Sequence, residues 1–123
     1  MSYDVRVLVR EKVTGRFVEV CRPERDSPTY NLGGLFRSCM GMDWAQGEEY
    51  PCAEMLPAIE RGIEELARDP GAYRHLEPPN GWGTLTGARA CLEEYRDIIV
   101  GLTGGDGRAG WEPWPMECLY FRW

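Results

Sequence analysis

Apolar residues fall at every second position from Tyr3 to Glu11, and again from Arg16 to Cys21. In the first run Tyr3, Val5, Val7 and Val9 lie on one side and Asp4, Arg6, Leu8 and Arg10 on the other. A period of two with β-branched residues is the pattern of a half-buried strand. In the second run Phe17, Glu19 and Cys21 oppose Val18 and Val20. Thr14-Gly15 separates the runs, and glycine tolerates the positive φ of a tight turn. The chain therefore opens with a β-hairpin. Two strands alone are marginal in water, so another element has to complete the sheet.

The middle of the chain changes period. Thr29 to Met40 reads as a short helix capped by Thr29 or Asn31, with Leu32, Leu35, Phe36 and Cys39 at helical spacing. Gly33-Gly34 in its first turn implies a close approach to the backbone. Trp44 to Pro51 reads as a loop. Cys52 to Arg68 reads as a helix with Met55, Leu56, Ile59, Ile63, Leu66 and Ala67 as its stripe, Pro57 being tolerated near the first turn. Asp69-Pro70-Gly71 stops it, and residues 72–83 form a stiff connector. Thr84 or Thr86 caps a third helix reaching Leu102, with Leu85, Ala88, Cys91, Leu92, Tyr95, Ile98, Ile99 and Leu102 as its stripe. A glycine-rich stretch, residues 101–110, reads as a flexible linker. Met116 to Trp123 then returns as a strand with Leu119, Phe121 and Trp123 on one side. The expected fold is a single α+β domain over residues 1–123. A small three-stranded antiparallel sheet, the N-terminal hairpin plus the C-terminal strand, packs against one short and two longer helices.

Length and composition agree. The 123 residues suffice for one core, and 43% hydrophobic content excludes a largely disordered chain. No apolar run is long enough to span a bilayer, and the N-terminus lacks the features of a signal peptide, so a cytoplasmic domain is expected. The net charge of -6 is unevenly placed: residues 1–41 carry 7 basic and 5 acidic side chains, residues 42–123 carry 7 and 15. Such a surface repels phosphate backbones, so direct nucleic-acid binding is not expected. Five cysteines at wide intervals and one histidine give no metal-ligand spacing, and the cysteines read as reduced structural residues.

Enzyme signatures are missing: there is no P-loop, no dinucleotide fingerprint, no HExxH and no nucleophile elbow. The chain is therefore expected to be non-enzymatic and to need no cofactor. Two segments could bind a ligand. Tyr30-Asn31 precedes a glycine pair at a helix start, and Pro78-Pro79-Asn80-Gly81-Trp82-Gly83-Thr84 is a rigid bend offering an indole and an amide beside another helix start. Tyr30, Asn31, Arg37, Asn80, Trp82, Thr84 and Arg89 are the candidate ligand-binding residues. The rings would stack on a base, the asparagines would read its edges, and the arginines would neutralise phosphate or carboxylate. An ordinary cap, with Tyr30 on the sheet and Trp82 in the core, accounts for the same residues.

The same segments resemble small proteins of bacteriophages and prophages. Thr29 to Phe36 is similar to their TYN(L/V) helix start, Glu54 to Ile59 to their ALPxLxxAI helix, and Glu77 to Ala88 to their NPPNGWG motif. The resemblance covers roughly residues 29–100. It implies an accessory counter-defence protein that acts by binding, either sequestering a small nucleotide-like signal or blocking a host defence protein. For the second mode the acidic helices, around Glu60, Glu64, Glu65, Glu93, Glu94 and Asp97, would cover a basic surface. Trp111, Trp114 and Trp123 are expected at a partner interface, and a homo-oligomer is plausible. A hydrolase using His75 with Glu77 is the remaining alternative.

Overall fold

The computed structural model describes residues 4–23, 32–78, 83–104 and 114–123. The chain is α+β, and its strands form one antiparallel sheet. The hairpin joins β1 (Arg6–Arg10) to β2 (Phe17–Cys21). Gly15 turns it at φ 70°, while the Thr14 hydroxyl donates to Glu11 over 2.8 Å. The C-terminal strand, labelled β4 (Leu119–Arg122), lies beside β1 as expected, with Val7 opposite Phe121 and Val9 opposite Leu119.

The sheet has four strands among the described residues, not three. Glu49–Pro51, expected as a loop, is β3 and pairs with β4, giving the order β2-β1-β4-β3. Three residues are too few for a period to be read. The β3 strand is held by its partner and by an ion pair between Arg122 and Glu49.

Three α-helices cover one face: α1 (Gly33–Met40), α2 (Cys52–Arg68) and α3 (Leu85–Leu102). Thr29 and Asn31, the expected caps of α1, lie outside the described residues. Of the glycine pair Gly33 is buried, while Gly34 is exposed with nothing among the described residues within 4 Å of a would-be β-carbon. A crowded glycine is Gly62 in α2, where a β-carbon would stand 2.8 Å from Leu92 Cδ1 and 3.0 Å from Met40 Cγ. It lets α2 lie close to both other helices. Pro57 sits in the second turn of α2 rather than the first. It and Ala53 are exposed, so the carbonyl that loses its donor faces solvent. Pro70 to Leu76, expected as irregular connector, is a 3-10 helix. The Tyr73 hydroxyl donates to Glu65 over 3.1 Å and ties it to α2.

The core is one cluster centred on the last residue. Trp123 stacks on Trp44 at 4.0 Å and 4°, and Phe36, Tyr95 and Phe121 lie around it within 5.7 Å. Val5, Val7 and Val9 enter this core, as do the α3 stripe residues Leu85, Ala88, Cys91, Leu92, Tyr95 and Ile99. Leu8, expected on the polar side, is also buried at 2% exposed. It lies between Glu19 and Tyr120 on the outer sheet face, in a row where Arg6 and Arg10 share its side. Long side chains on a sheet face can cover an apolar residue without a second layer.

Candidate functional site

The start of α3 is built from three local devices. Thr84 is extended, with φ -132° and ψ 160°, and its hydroxyl oxygen accepts the Gly87 N–H over 2.9 Å. Of the two threonines considered, Thr84 is therefore the cap. The Glu77 carboxylate accepts the Leu85 N–H over 3.0 Å. Two of the donors a helix start leaves unpaired are thus met by the chain itself. Just before the cap, Gly83 holds φ 136°, a conformation that favours glycine.

Leu32, at the start of α1, fills the space beside Gly83. A β-carbon on Gly83 would stand 2.8 Å from Leu32 Cγ and Cδ2. Tyr30, Asn31, Asn80 and Trp82 lie outside the described residues. The contact joins the start of α1 to the approach to α3.

The two arginines assigned to the same pocket are engaged elsewhere. Arg37 is half-buried over the Trp44 ring at 4.3 Å, and its Nε donates to the Trp44 carbonyl over 2.9 Å. Its charge serves the aromatic core, a role that helical spacing could not reveal. Arg89 is exposed and paired with Glu93 at 3.1 Å, an i,i+4 pair along α3. Neither arrangement supplies the phosphate clamp expected from the sequence.

The tryptophans separate in the same way. Trp123, expected at a partner interface, is 1% exposed and central to the core. Trp114 is 38% exposed and lines an apolar groove beside the hairpin. Trp111 lies outside the described residues, as do residues 105–110 of the expected linker.

The remaining chemistry reads as structural. One carboxylate oxygen of Glu77 accepts the Leu85 N–H at the start of α3. On the acidic helices Glu65 is hydrogen-bonded to Arg68 and Tyr73, Glu93 pairs with Arg89 and Asp97 with Arg96. The Arg68 and Tyr73 hydrogen bonds hold the Glu65 carboxyl below its ordinary value. Burial pushes the Cys39 thiol up to about 11 and the Cys52 thiol up to about 12, which makes both poor nucleophiles. Burial likewise drives the Tyr95 phenol upward. Cys118, expected in the last strand, precedes it in a 3-10 turn and is half-buried. Among the described residues no cluster of three or more His, Cys, Asp or Glu could hold a metal, and no helix is long and apolar enough to cross a membrane. No family model, curated protein or solved structure matches the chain.

Proposed function

We propose that this chain is a non-enzymatic binding protein that sequesters a small ligand where the starts of α1 and α3 meet. The contact between Leu32 and Gly83 supports the reading, because it brings the start of α1 against the approach to α3. A tyrosine, an indole and two amides are suited to a flat ring with polar edges. The ligand class follows from the charges. Arg37 and Arg89 are occupied, and the Leu85 and Gly87 amides are capped by the chain's own oxygens. The reading therefore favours recognition of a base or similar heteroaromatic ring, with any phosphate left outside. The resemblance to small phage proteins supplies the setting, counter-defence in the cytoplasm of a bacterial host.

Calorimetry with free nucleobases, nucleosides, and cyclic and ADP-ribose-type nucleotides tests it. Heat is expected from at least one base-bearing compound and is lost in Trp82→Ala and Asn31→Ala. Silence across the whole panel would sink the reading. The alternative, acidic helices covering a basic enzyme surface, is weakened by the arginine partners of Glu65, Glu93 and Asp97.

A further inference from the structure

The three large apolar side chains exposed among the described residues line one groove. Val13 at the hairpin tip is 98% exposed, Val18 in β2 is 45% and Trp114 is 38%. Val9, Val20 and Cys118 complete the apolar lining, and the groove encloses about 440 Å³. That lies within the roughly 300–1,000 Å³ of typical ligand clefts. Exposed apolar residues gathered in one place mark an interaction surface more strongly than the same residues scattered.

Two further observations say what fits there. The first is the sheet edge. At the far edge β3 is three residues long and ends in Pro51, which lacks a donor. The β2 edge is five residues with no proline, and among the described residues no strand pairs beyond it. Such an edge can accept another strand. The side chains of an added strand would alternate, and every second one would point to the face where Val18 and Val20 line the groove.

The second is charge. Arg6, Arg22, Arg68, Arg89, Arg96 and Arg122 each have a carboxylate within 4 Å. Among the described residues Arg10, Lys12 and Arg16 at the hairpin end do not, nor do Arg37, Arg61 and Arg74 elsewhere: Arg10 lies over the Phe17 ring, and Glu11 accepts from Thr14. Glu19, the acid of β2, is matched by Arg6 and Arg22. A chain of net charge -6 thus presents a basic tip beside an apolar groove and an open strand edge.

We propose that β2 and this groove receive an extended acidic segment of another protein, with apolar residues at alternate positions, added antiparallel or parallel as a fifth strand. Its apolar side chains fill the groove against Val18, Val20 and Trp114, and an acidic residue at the end that passes the hairpin tip meets Lys12 and Arg16. This surface is separate from the junction of α1 and α3 and stands without it.

The test uses the full chain and two capped nonapeptides, one alternating glutamate with leucine and the other lysine with leucine. The acidic peptide is expected to bind, shifting the backbone amide signals of Phe17–Cys21 and the Trp114 indole. Its affinity should fall about tenfold in Val18→Asp and in the Lys12→Glu, Arg16→Glu pair, and should weaken with added salt. Val13→Asp, at a solvent-exposed turn, repeats the groove test without risk to the fold. Equal binding of the lysine peptide, or shifts that avoid β2, would overturn the proposal. So would sedimentation in which the chain alone dimerises and Val18→Asp abolishes the dimer, because the occupant would then be a second copy. Binding to anionic lipid vesicles that Val13→Asp removes, with no peptide binding, would overturn it as well.

Discussion

Leu32 lies against the backbone of Gly83, so close that a β-carbon there would meet its Cγ and Cδ2 at 2.8 Å. Fifty-one positions apart in the chain, the two residues join the start of α1 to the approach to α3. Gly83 combines this crowding with φ 136°, so alanine there is opposed by both backbone and packing. Gly83→Ala should lose about 1–3 kcal/mol of stability in urea unfolding. Leu32→Ala should lose about 2–5 kcal/mol, since Leu32 is 4% exposed. Unchanged midpoints in both would mean that the junction is looser than described.

Gly62 sets two tendencies against each other. Alanine in mid-helix gains about 1 kcal/mol over glycine by propensity. Its methyl would press on Leu92 Cδ1 at 2.8 Å, Met40 Cγ at 3.0 Å and Cys39 Sγ at 3.2 Å. All three residues are 1% exposed or less, so none can swing into solvent. Overpacking costs about 1–3 kcal/mol, so Gly62→Ala should be destabilising by about 1 kcal/mol. A raised melting temperature would refute the tight approach of α2 to its neighbours.

Glu77 and His75 should respond differently to alanine. Glu77 accepts the Leu85 N–H, so its loss removes a helix-start partner and costs about 0.5–2 kcal/mol. His75 is exposed, and its replacement should stay within about 0.5 kcal/mol of wild type. Thermal unfolding of the two single variants checks this, and the reverse order would return His75 to consideration.

The bond from Tyr73 to Glu65 should make the 3-10 helix sensitive to acid. The Glu65 carboxyl is depressed by the Arg68 and Tyr73 hydrogen bonds, so folding favours its charged form. That contribution is fully present above the ordinary glutamate value of 4.5 and is lost as pH falls through the lower folded value. Amide exchange in residues 70–76 should therefore quicken relative to the core below about pH 4.5. Glu65→Gln should flatten that difference; an unchanged profile in the variant would remove Glu65 as the cause.

The hairpin, the α3 stripe and the inward side of the last strand were legible because each carries its own period over several residues. The cap of α3 was legible as Thr84 or Thr86, and the bond from the Gly87 N–H selects Thr84. Leu8 was misread because a polar neighbour pattern does not show whether long side chains will fold over an apolar one. The strand β3 was misread as loop, and the burial of Trp44 went unread, because their partners, β4 and Trp123, lie more than 65 residues away along the chain. The clamp assigned to Arg37 failed because a guanidinium in the half-buried edge of a core finds an aromatic face and a carbonyl before any ligand.

Local pattern decided the hairpin, the three α-helices and the last strand, since periodicity and capping act between residues a few positions apart. Tertiary structure alone decided the fourth strand, the aromatic hub at Trp123, the crowding at Gly62 and the meeting of Leu32 with Gly83. Those depend on which distant surfaces come into contact, and burial energy chooses among such contacts only once the whole chain has closed around its core.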